Sequence, residues 1–223
     1  MTIALSAAGW VLEDAAGEFS VRGVREYALD AIPDVFRYPI KNFGRFPASV
    51  RETCAACGLA FRAAGVDYAR GARLPMGLIA AGYGATLVAN RAFFCDYADS
   101  GRVMGRGNLF IYTLPTSPIA EASIHFGLVG PVLYLEADTA PFAELLHGAR
   151  RMMQAGQAQT MGLIWQGGGT TLCALLSDGS RMPPALACES VLEQAEGWRS
   201  PRESVDYFRT VQAGQPFNPG NGA

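Results

Sequence analysis

Few side chains in this 223-residue sequence have the chemistry of a catalytic group. The only histidines are His125, just before a glycine turn, and His147, in a stretch rich in alanine and leucine. Nucleophilic catalysis needs a base within reach of an exposed nucleophile, and no G-x-S-x-G elbow occurs in the sequence. Glu136 and Asp138 share a face after an apolar run, so an acid–base pair is conceivable, although solvated loop carboxylates are the simpler interpretation.

The cysteines indicate structure more than chemistry. Five cysteines, an odd number, without a basic leader before the first apolar run predict reduced thiols in a cytoplasmic protein. Cys54 and Cys57 form a C-x-x-C inside a predicted alanine-rich helix. A zinc site needs four ligands, and neither a second cysteine pair nor clustered histidines accompany these two. We therefore interpret them as small core residues and expect no metal site.

The segment Gly82-Tyr83-Gly84 follows a predicted strand and precedes a predicted helix, which is the setting of a dinucleotide-binding turn. The third position of that fingerprint is Leu87, where close packing of helix and strand needs glycine or alanine. A tight strand-to-helix turn is the better interpretation, and we expect no cofactor.

Composition limits the classes of partner. Half of the residues are hydrophobic and 17% are charged, against about 25% in soluble domains, which suggests that part of the surface is buried against a partner. The formal net charge of −2 provides no global field for nucleic acid or an anionic membrane. No window is apolar for long enough to span a bilayer. We therefore expect neither nucleic-acid binding nor membrane insertion.

Apolar runs that alternate with helical patterns predict an α/β domain in which helices cover both faces of a five-stranded sheet. No repeat or linker divides the chain, so residues 1–213 are expected to form one domain and residues 214–223, rich in Gly, Pro and Asn, a flexible tail. Residues 33–47 contain three prolines and are expected to be irregular. The predicted strands are residues 3–12, 74–81, 132–137, 160–165 and 170–177, and the predicted helices are residues 20–31, 48–64, 85–99, 115–124, 141–155, 185–196 and 202–212.

Several motifs, in their order and spacing over about residues 40–165, resemble the N-terminal half of a β-ketoacyl synthase of the thiolase-like superfamily. The last of them is the most specific. The resemblance implies a single thiolase-like half built on a mixed sheet. The motifs are Phe43-Gly44-Arg45, Gly77-Leu78-Ile79-Ala80-Ala81 followed by Gly82-Tyr83-Gly84, Asn108-Leu109-Phe110 through Pro115-Thr116, and Ile124-His125-Phe126-Gly127-Leu128-Val129-Gly130-Pro131.

Two departures from that family concern catalysis. In the family, a cysteine at the start of a central helix takes up the acyl chain as a thioester. Counting from Pro131 places Thr139 at this position, and aligning Asp138-Thr139-Ala140 with the family's Asp-Thr-Ala places Pro141 there. The nearest cysteine, Cys173, lies in a later predicted strand. The resemblance also stops before the second half that supplies two catalytic histidines, so we expect no decarboxylative condensation by this chain alone.

The predicted helix 141–155 has one polar side. Five polar residues fall within an arc of about 120° at 3.6 residues per turn. In complete synthases, the helix after the nucleophile is apolar on both sides because it lies between the two halves. A solvated side on this helix therefore favours a half-size protein over a fragment of a complete synthase. The polar residues are Glu144, His147, Arg150, Arg151 and Gln154.

A short synthase relative that lacks the nucleophilic cysteine resembles a chain length factor. The half-size form most resembles the companion subunits of aryl-polyene-type pathways. The resemblance implies a non-catalytic subunit that forms a heterodimer with a catalytic β-ketoacyl-ACP synthase and helps to shape its acyl tunnel in fatty-acid or polyketide chain elongation. Carried over by position, Tyr83 falls on the tunnel gate, and Leu109 and Phe110 fall on the interface. Thr113 and Tyr134 belong to the same predicted tunnel and interface set.

Two other interpretations remain open at the level of sequence. One is a stand-alone acyl transferase or thioesterase with a repurposed site near Asp138 and Thr139. The other is a homodimeric module that binds acyl chains or acyl carrier protein, whose acidic surface Arg102 and Arg106 could meet, although two loop arginines are more often simply solvated.

Overall fold

The computed structural model describes residues 3–32, 34–82 and 86–211, in which eight strands form one mixed sheet. Its order is β3-β2-β1-β7-β6-β4-β5, and β8 pairs with β1. Strand β4 is parallel to both β5 and β6, and the other pairs are antiparallel. The strands are β1 (Ile3–Val11), β2 (Ala15–Ser20), β3 (Gly23–Ala28), β4 (Met76–Gly82), β5 (Val132–Leu135), β6 (Thr160–Gly167), β7 (Thr170–Asp178) and β8 (Leu186–Ala187).

Helices cover both faces of this sheet, as predicted. On one face, α5, α6 and α7 pack over a core in which Phe142 lies between Trp165 and Trp198. On the other face, α1 and α4 pack over a core that contains Phe61 and Phe126. The helices are α1 (Ala48–Ala64), α2 (Leu87–Asp99), α3 (Gly107–Phe110), α4 (Ser117–Phe126), α5 (Pro141–Gln154), α6 (Cys188–Ala195) and α7 (Pro201–Thr210).

The prediction of five strands is wrong, because β2, β3 and β8 extend the sheet to eight. The short helix predicted over residues 20–31 is also wrong: β3 (Gly23–Ala28) occupies the middle of that segment, and a 3-10 turn (Leu29–Ala31) follows it. The register of β3 is fixed by pairing with β2, where Phe19 lies opposite Val24. The burial of Phe19 and the hairpin turn determine that this segment forms strands. The sequence itself shows no clear helical or alternating pattern here.

The predicted polar side of α5 is present. Glu144, Arg151 and Gln154 are exposed, and His147 and Arg150 are half-buried. Helix α6 lies beside this edge of α5, where Arg150 forms an ion pair with Glu189 at 3.1 Å. The sheet face under α5 is therefore closed by α6 and α7 of the same chain.

The motif that ends in Pro131 guides the chain along the start of β4 and into β5. Helix α4 ends at Gly127, whose φ of 67° is left-handed. A Cβ at Gly127 would lie 2.1 Å from the Ala72 carbonyl oxygen, and one at Gly130 would lie 2.6 Å from the Met76 carbonyl carbon. The Gly130 amide donates to the Met76 carbonyl at 2.9 Å. Both glycines are required by close approach of two backbones.

Within the described ranges 3–32, 34–82 and 86–211, no helix has the length and apolar character needed to cross a membrane. The predicted tail, residues 214–223, lies outside these ranges, as does Tyr83.

Candidate functional site

The position that corresponds to the family's nucleophile lies between β5 and α5. Helix α5 begins at Pro141, after Ala140, which adopts a left-handed conformation with φ of 47°. Thr139 and Asp138 are exposed, and Pro141 is half-buried. A cavity of about 290 Å³ lies here, lined in part by Asp138, Pro141, Trp165 and Arg199.

The chemistry of this cavity is limited. None of the described residues that line it is a cysteine or a histidine. Cys173 is buried on β7, in the core on the side of α1. A threonine without a nearby base is a poor nucleophile at neutral pH. The described lining of the cavity therefore offers no thiolate, and its one acidic side chain is Asp138.

The remaining candidate groups serve the core. Cys54 and Cys57 are fully buried on α1. Burial raises the pKa of the Cys54 thiol. The pKa of the Cys57 thiol is raised mainly by a hydrogen bond with Cys173 and also by burial. His125 is buried among aromatic rings, 4.6 Å from the Tyr38 ring centre, and burial lowers its pKa. In the described part of the chain, no group of three or more acidic, histidine or cysteine side chains could hold a metal ion. This arrangement agrees with the core interpretation of both cysteines.

Gly82, the first residue of the glycine pair, ends β4. A Cβ at this position would lie 2.4 Å from the Gln166 carbonyl oxygen of β6, so close strand packing accounts for the glycine without a nucleotide. The residues that follow, Tyr83 and Gly84, lie outside the described ranges.

A second candidate region is an apolar surface. Of the fourteen large hydrophobic side chains that are exposed in the described residues, twelve lie between residues 87 and 133. Eight of the twelve lie on α2, on α3 with the following 3-10 turn, on α4 and on β5, which contact one another in series, and the other four lie in the connecting segments. We call this region the apolar surface; its members are Leu87, Val88, Phe94, Val103, Met104, Phe110, Ile111, Leu114, Ile124, Val129, Val132 and Leu133.

Helix α2 is the least covered part of the apolar surface. It buries only Ala89, and Val88 is 80% exposed and Phe94 63% exposed. The helix is held to its neighbours by Phe93, which packs on Phe110 at 5.5 Å, and by an ion pair between Asp96 and Arg106 at 2.5 Å. A helix that exposes large apolar side chains on several sides is typical of an interaction surface.

Three of the predicted interface residues lie on this surface or beside it. Phe110 is 52% exposed, and Leu109 and Thr113 are half-buried next to it. The Thr113 hydroxyl donates to the Phe110 carbonyl at 2.7 Å. Of the two predicted carrier-binding arginines, Arg106 is engaged with Asp96, and Arg102 is exposed.

Tyr134 joins β5 to the end of β4. Its hydroxyl donates to the Gly82 carbonyl, next to Tyr83. Burial raises the pKa of the Tyr134 hydroxyl, and the charge of Glu136 adds to the shift. Leu109, Phe110 and Thr113 thus form one group against α2, Tyr134 forms a second beside β4, and α4 contacts the elements that carry both.

Sequence reasoning assigned no role to α2. Val88 and Phe94 were interpreted only as part of a helix, and Leu87 only as a departure from the dinucleotide-binding fingerprint, yet the absence of a polar side in this helix was a usable signal. The exposed position of Ile124 has no such signal, because α4 is otherwise well buried.

At the level of sequence, no family model and no curated protein matches the chain. Solved structures do match. The structure of the ketosynthase ApeO in complex with its chain length factor ApeC, from Xenorhabdus doucetiae, aligns with 95% of this chain and 93% of the matched chain, with a TM-score of 0.57 and 12% identity. The fold is shared with ketosynthases and chain length factors.

Two further structures show the same likeness. The ishigamide ketosynthase/chain length factor aligns with 83% of this chain and 65% of the matched chain, with a TM-score of 0.57 and 11% identity. A β-ketoacyl synthase from Burkholderia phymatum aligns with 79% and 59%, with a TM-score of 0.55 and 14% identity. The chain thus spans less than two thirds of these two relatives and nearly all of the matched chain of the ApeO–ApeC complex. The predicted thiolase-like fold is confirmed.

Proposed function

We propose that this chain is a non-catalytic partner subunit that resembles a chain length factor. It pairs with a catalytic β-ketoacyl-ACP synthase and helps to shape the acyl tunnel in fatty-acid, polyketide or aryl-polyene-type chain elongation. In this proposal, residues 1–213 act as one synthase-like half. The observation that carries the proposal is the apolar surface next to a nucleophile position that holds no nucleophile.

The absence of chemistry at α5 is the first support. Thr139 or Pro141 stands at the position of the cysteine, and the described residues that line the adjacent cavity include neither a cysteine nor a histidine. A chain of this fold that keeps the strand and helix but not the reactive group is suited to building a wall of a site, since tunnel walls need shape and apolar character only.

The apolar surface is the second support. Twelve large apolar side chains within residues 87–133 exceed the scattered exposure that is normal for a monomer. Interfaces of stable complexes have an apolar core depleted of charge. Burying such side chains stabilises an assembly by about 25 cal/mol per Å² of apolar surface removed from water. The surface is therefore suited to a partner that stays bound.

The edges of the sheet are the third support. Strand β5 ends the sheet, and its sequence Val132-Leu133-Tyr134-Leu135 has no charge. Unpaired edge strands with apolar side chains attract another strand, and proteins usually protect them with charges. The opposite edge strand, β3, does carry charges, and its Glu26 is paired with Arg209 at 2.6 Å. Strand β5 is therefore a candidate for pairing with an edge strand of the partner.

The tunnel and interface residues are part of the same proposal. Tyr134 lies beside Gly82, one residue before Tyr83, and Phe110 lies on the apolar surface. We assign Tyr83, Leu109, Phe110, Thr113 and Tyr134 to the interface and tunnel. An acyl carrier protein is a further partner in this proposal, with Arg102 as its candidate contact, because Arg106 is already paired with Asp96.

Pairing is tested by co-expression with a full-length ketoacyl synthase and size-exclusion chromatography of the purified mixture. The proposal expects co-elution of the wild-type chain and its loss with Leu133→Lys, which places a charge on the β5 edge. Val21→Lys is the matched control, because Val21 is 42% exposed and Leu133 39% exposed, and Val21 lies in the β2–β3 turn. Separate elution of the wild-type chain at every concentration, or a homodimer in native mass spectrometry that the synthase does not disrupt, would contradict it.

The tunnel role is tested separately, by product analysis. With Tyr83→Ala, the paired synthase is expected to release products of altered length, because a smaller side chain at the gate changes the space for the growing chain. An unchanged product profile in a complex that still forms would leave the pairing intact and exclude the gating role.

A further inference from the structure

A large cavity lies away from the nucleophile position, between the segment 38–42, the Arg70–Gly71 loop and the outer side of α4. Its volume is about 870 Å³, three times that of the cavity beside α5. Small-molecule sites have volumes of about 300–1,000 Å³. The cavity is therefore large enough for a small ligand, and every residue that lines it belongs to this chain.

The walls of the cavity are largely apolar and held in place. The Phe46 and Tyr112 rings are in contact at 5.9 Å. The Tyr38 hydroxyl donates to the His125 carbonyl, and the two rings lie 4.6 Å apart. Ile111 and Ile124 complete the apolar lining. Such pinned walls favour binding, because less side-chain freedom is lost when a ligand enters.

Two cations stand at this cavity. Lys41 and Arg70 both line it and are exposed, and neither forms an ion pair with an acidic side chain in the described ranges. The Arg70 guanidinium is positioned over the Tyr38 ring, 5.4 Å from its centre. His125 adds no charge at neutral pH, since burial lowers its pKa.

One acid, Glu121, offsets part of this positive charge. Glu121 is half-buried on the α4 wall and is hydrogen-bonded to the Tyr112 hydroxyl. As a carboxylate it accepts hydrogen bonds and repels an anion, so an anionic group is directed away from α4 and toward Lys41 and Arg70. The charges of the cavity therefore impose an orientation on a charged ligand.

We propose that this cavity binds an anionic amphiphile: a small molecule with a carboxylate or phosphate head and an apolar body. The head is held by Lys41 and Arg70, and the body contacts Ile111, Tyr112 and Ile124. The site contains none of the residues assigned to the acyl tunnel, although it shares Ile111 and Ile124 with the apolar surface, and it does not require a partner. Failure of the pairing experiment would leave it untouched.

The test is calorimetric titration of the full chain, without a synthase, with decanoate, decyl phosphate and decanol below their aggregation concentrations. Because hydrogen bonds to a charged head are each worth about tenfold in affinity, at least one of the two anions is expected to bind at a single saturable site about tenfold or more tighter than decanol. The ratio of the affinities for decanoate and decyl phosphate shows whether the site prefers a carboxylate or a phosphate head. Equal binding of decanol and both anions would overturn the proposal.

Variants separate the cavity from the rest of the surface. Lys41→Ala with Arg70→Ala is expected to reduce the affinity for the anion about tenfold or more. Arg73→Ala is the matched control, because Arg73 is an exposed arginine three residues from Arg70 that does not line the cavity. Phe94→Ala removes a side chain of the apolar surface outside the cavity and is expected to leave the affinity for the anion unchanged. An equal loss with Arg73→Ala or Phe94→Ala, or none with the double variant, would refute the site; thermal melting verifies that each variant is folded.

Discussion

Helices α2 and α5 follow parallel strands of one sheet and are 13 and 14 residues long. They differ in how much of their surface is packed into the core. Helix α5 buries seven residues and keeps Glu144 and Gln154 in water. Helix α2 buries Ala89 alone. The difference is the distribution of apolar side chains about the axis, which are on one side of α5 and on all sides of α2. The core of this chain covers the apolar side of α5, whereas the described residues leave most of α2 exposed.

The largest expected effect is on the α5 side of this comparison. Phe142 is fully buried, with its ring 5.8 Å from that of Trp165 and 5.2 Å from that of Trp198. Phe142→Ala is expected to lower the free energy of unfolding by about 3–5 kcal/mol, because it removes apolar contacts and leaves a cavity. Urea denaturation followed by circular dichroism measures the change. A loss below about 1 kcal/mol, the average for point variants, would show that α5 is not packed as described.

The same kind of residue on α2 is expected to act on association. Phe94→Glu should change the free energy of unfolding of the isolated chain by no more than about 0.5 kcal/mol, as for other surface positions. It should weaken binding to a synthase by about tenfold or more, because a carboxylate would have to leave water at the interface. Gln154→Glu on the wet side of α5 is the control and should alter neither quantity. Strong destabilisation of the isolated chain by Phe94→Glu would remove the contrast between the two helices.

A smaller effect is expected at the start of α5. Ala140 has a φ of 47°, and a left-handed conformation costs a non-glycine residue about 1–2 kcal/mol. Ala140→Gly relieves this strain, partly offset by the greater chain entropy of glycine, so a gain of up to about 1 kcal/mol is expected. Ala143→Gly within α5 should instead destabilise by about 1 kcal/mol. Thermal melting compares the two, and a loss of stability in both would mean that Ala140 is not strained.

The smallest effect concerns the end of α2. The hydrogen bond from Arg106 lowers the pKa of the Asp96 carboxyl below its ordinary value of 3.8. A lowered carboxyl pKa stabilises the fold above the ordinary value, and this contribution is lost as the pH falls through the lowered pKa. Asp96→Asn should therefore melt at a slightly lower temperature than the wild type near neutral pH, and the difference should vanish well below pH 3.8. A difference that is independent of pH would exclude the ion pair as its cause.

Local signals in the sequence were sufficient for much of the fold. Helix α1 was predicted with its observed bounds, because Pro47 starts it and Gly65 ends it with a left-handed cap. Strands β2 and β3 were missed although they form a local hairpin, because part of what stabilises them lies far away in the chain. The buried Glu18 of β2 is one example: Arg62 of α1 satisfies it at 2.8 Å. Strand β8 has only two residues, too few for any pattern.

The candidate site was accessible from sequence only in part. Thr139 and Pro141 could be placed at the start of α5 because the motif before them fixes the count from Pro131 to the helix. The exposure of Leu87, Val88 and Phe94 could not be derived in the same way. The absence of a polar side marks α2 as unusual, but whether such a helix is buried or exposed depends on what the rest of the fold places beside it.

The two glycines before β5 show what a recognisable sequence signature can record. Gly127 and Gly130 mark the place where the chain passes Ala72 and Met76 with no room for a side chain. These close contacts lie before the nucleophile position in the chain, so they do not depend on whether a cysteine follows. A search that scores this signature sorts proteins by the path of their backbone, and reactive and unreactive members of one fold will be retrieved together.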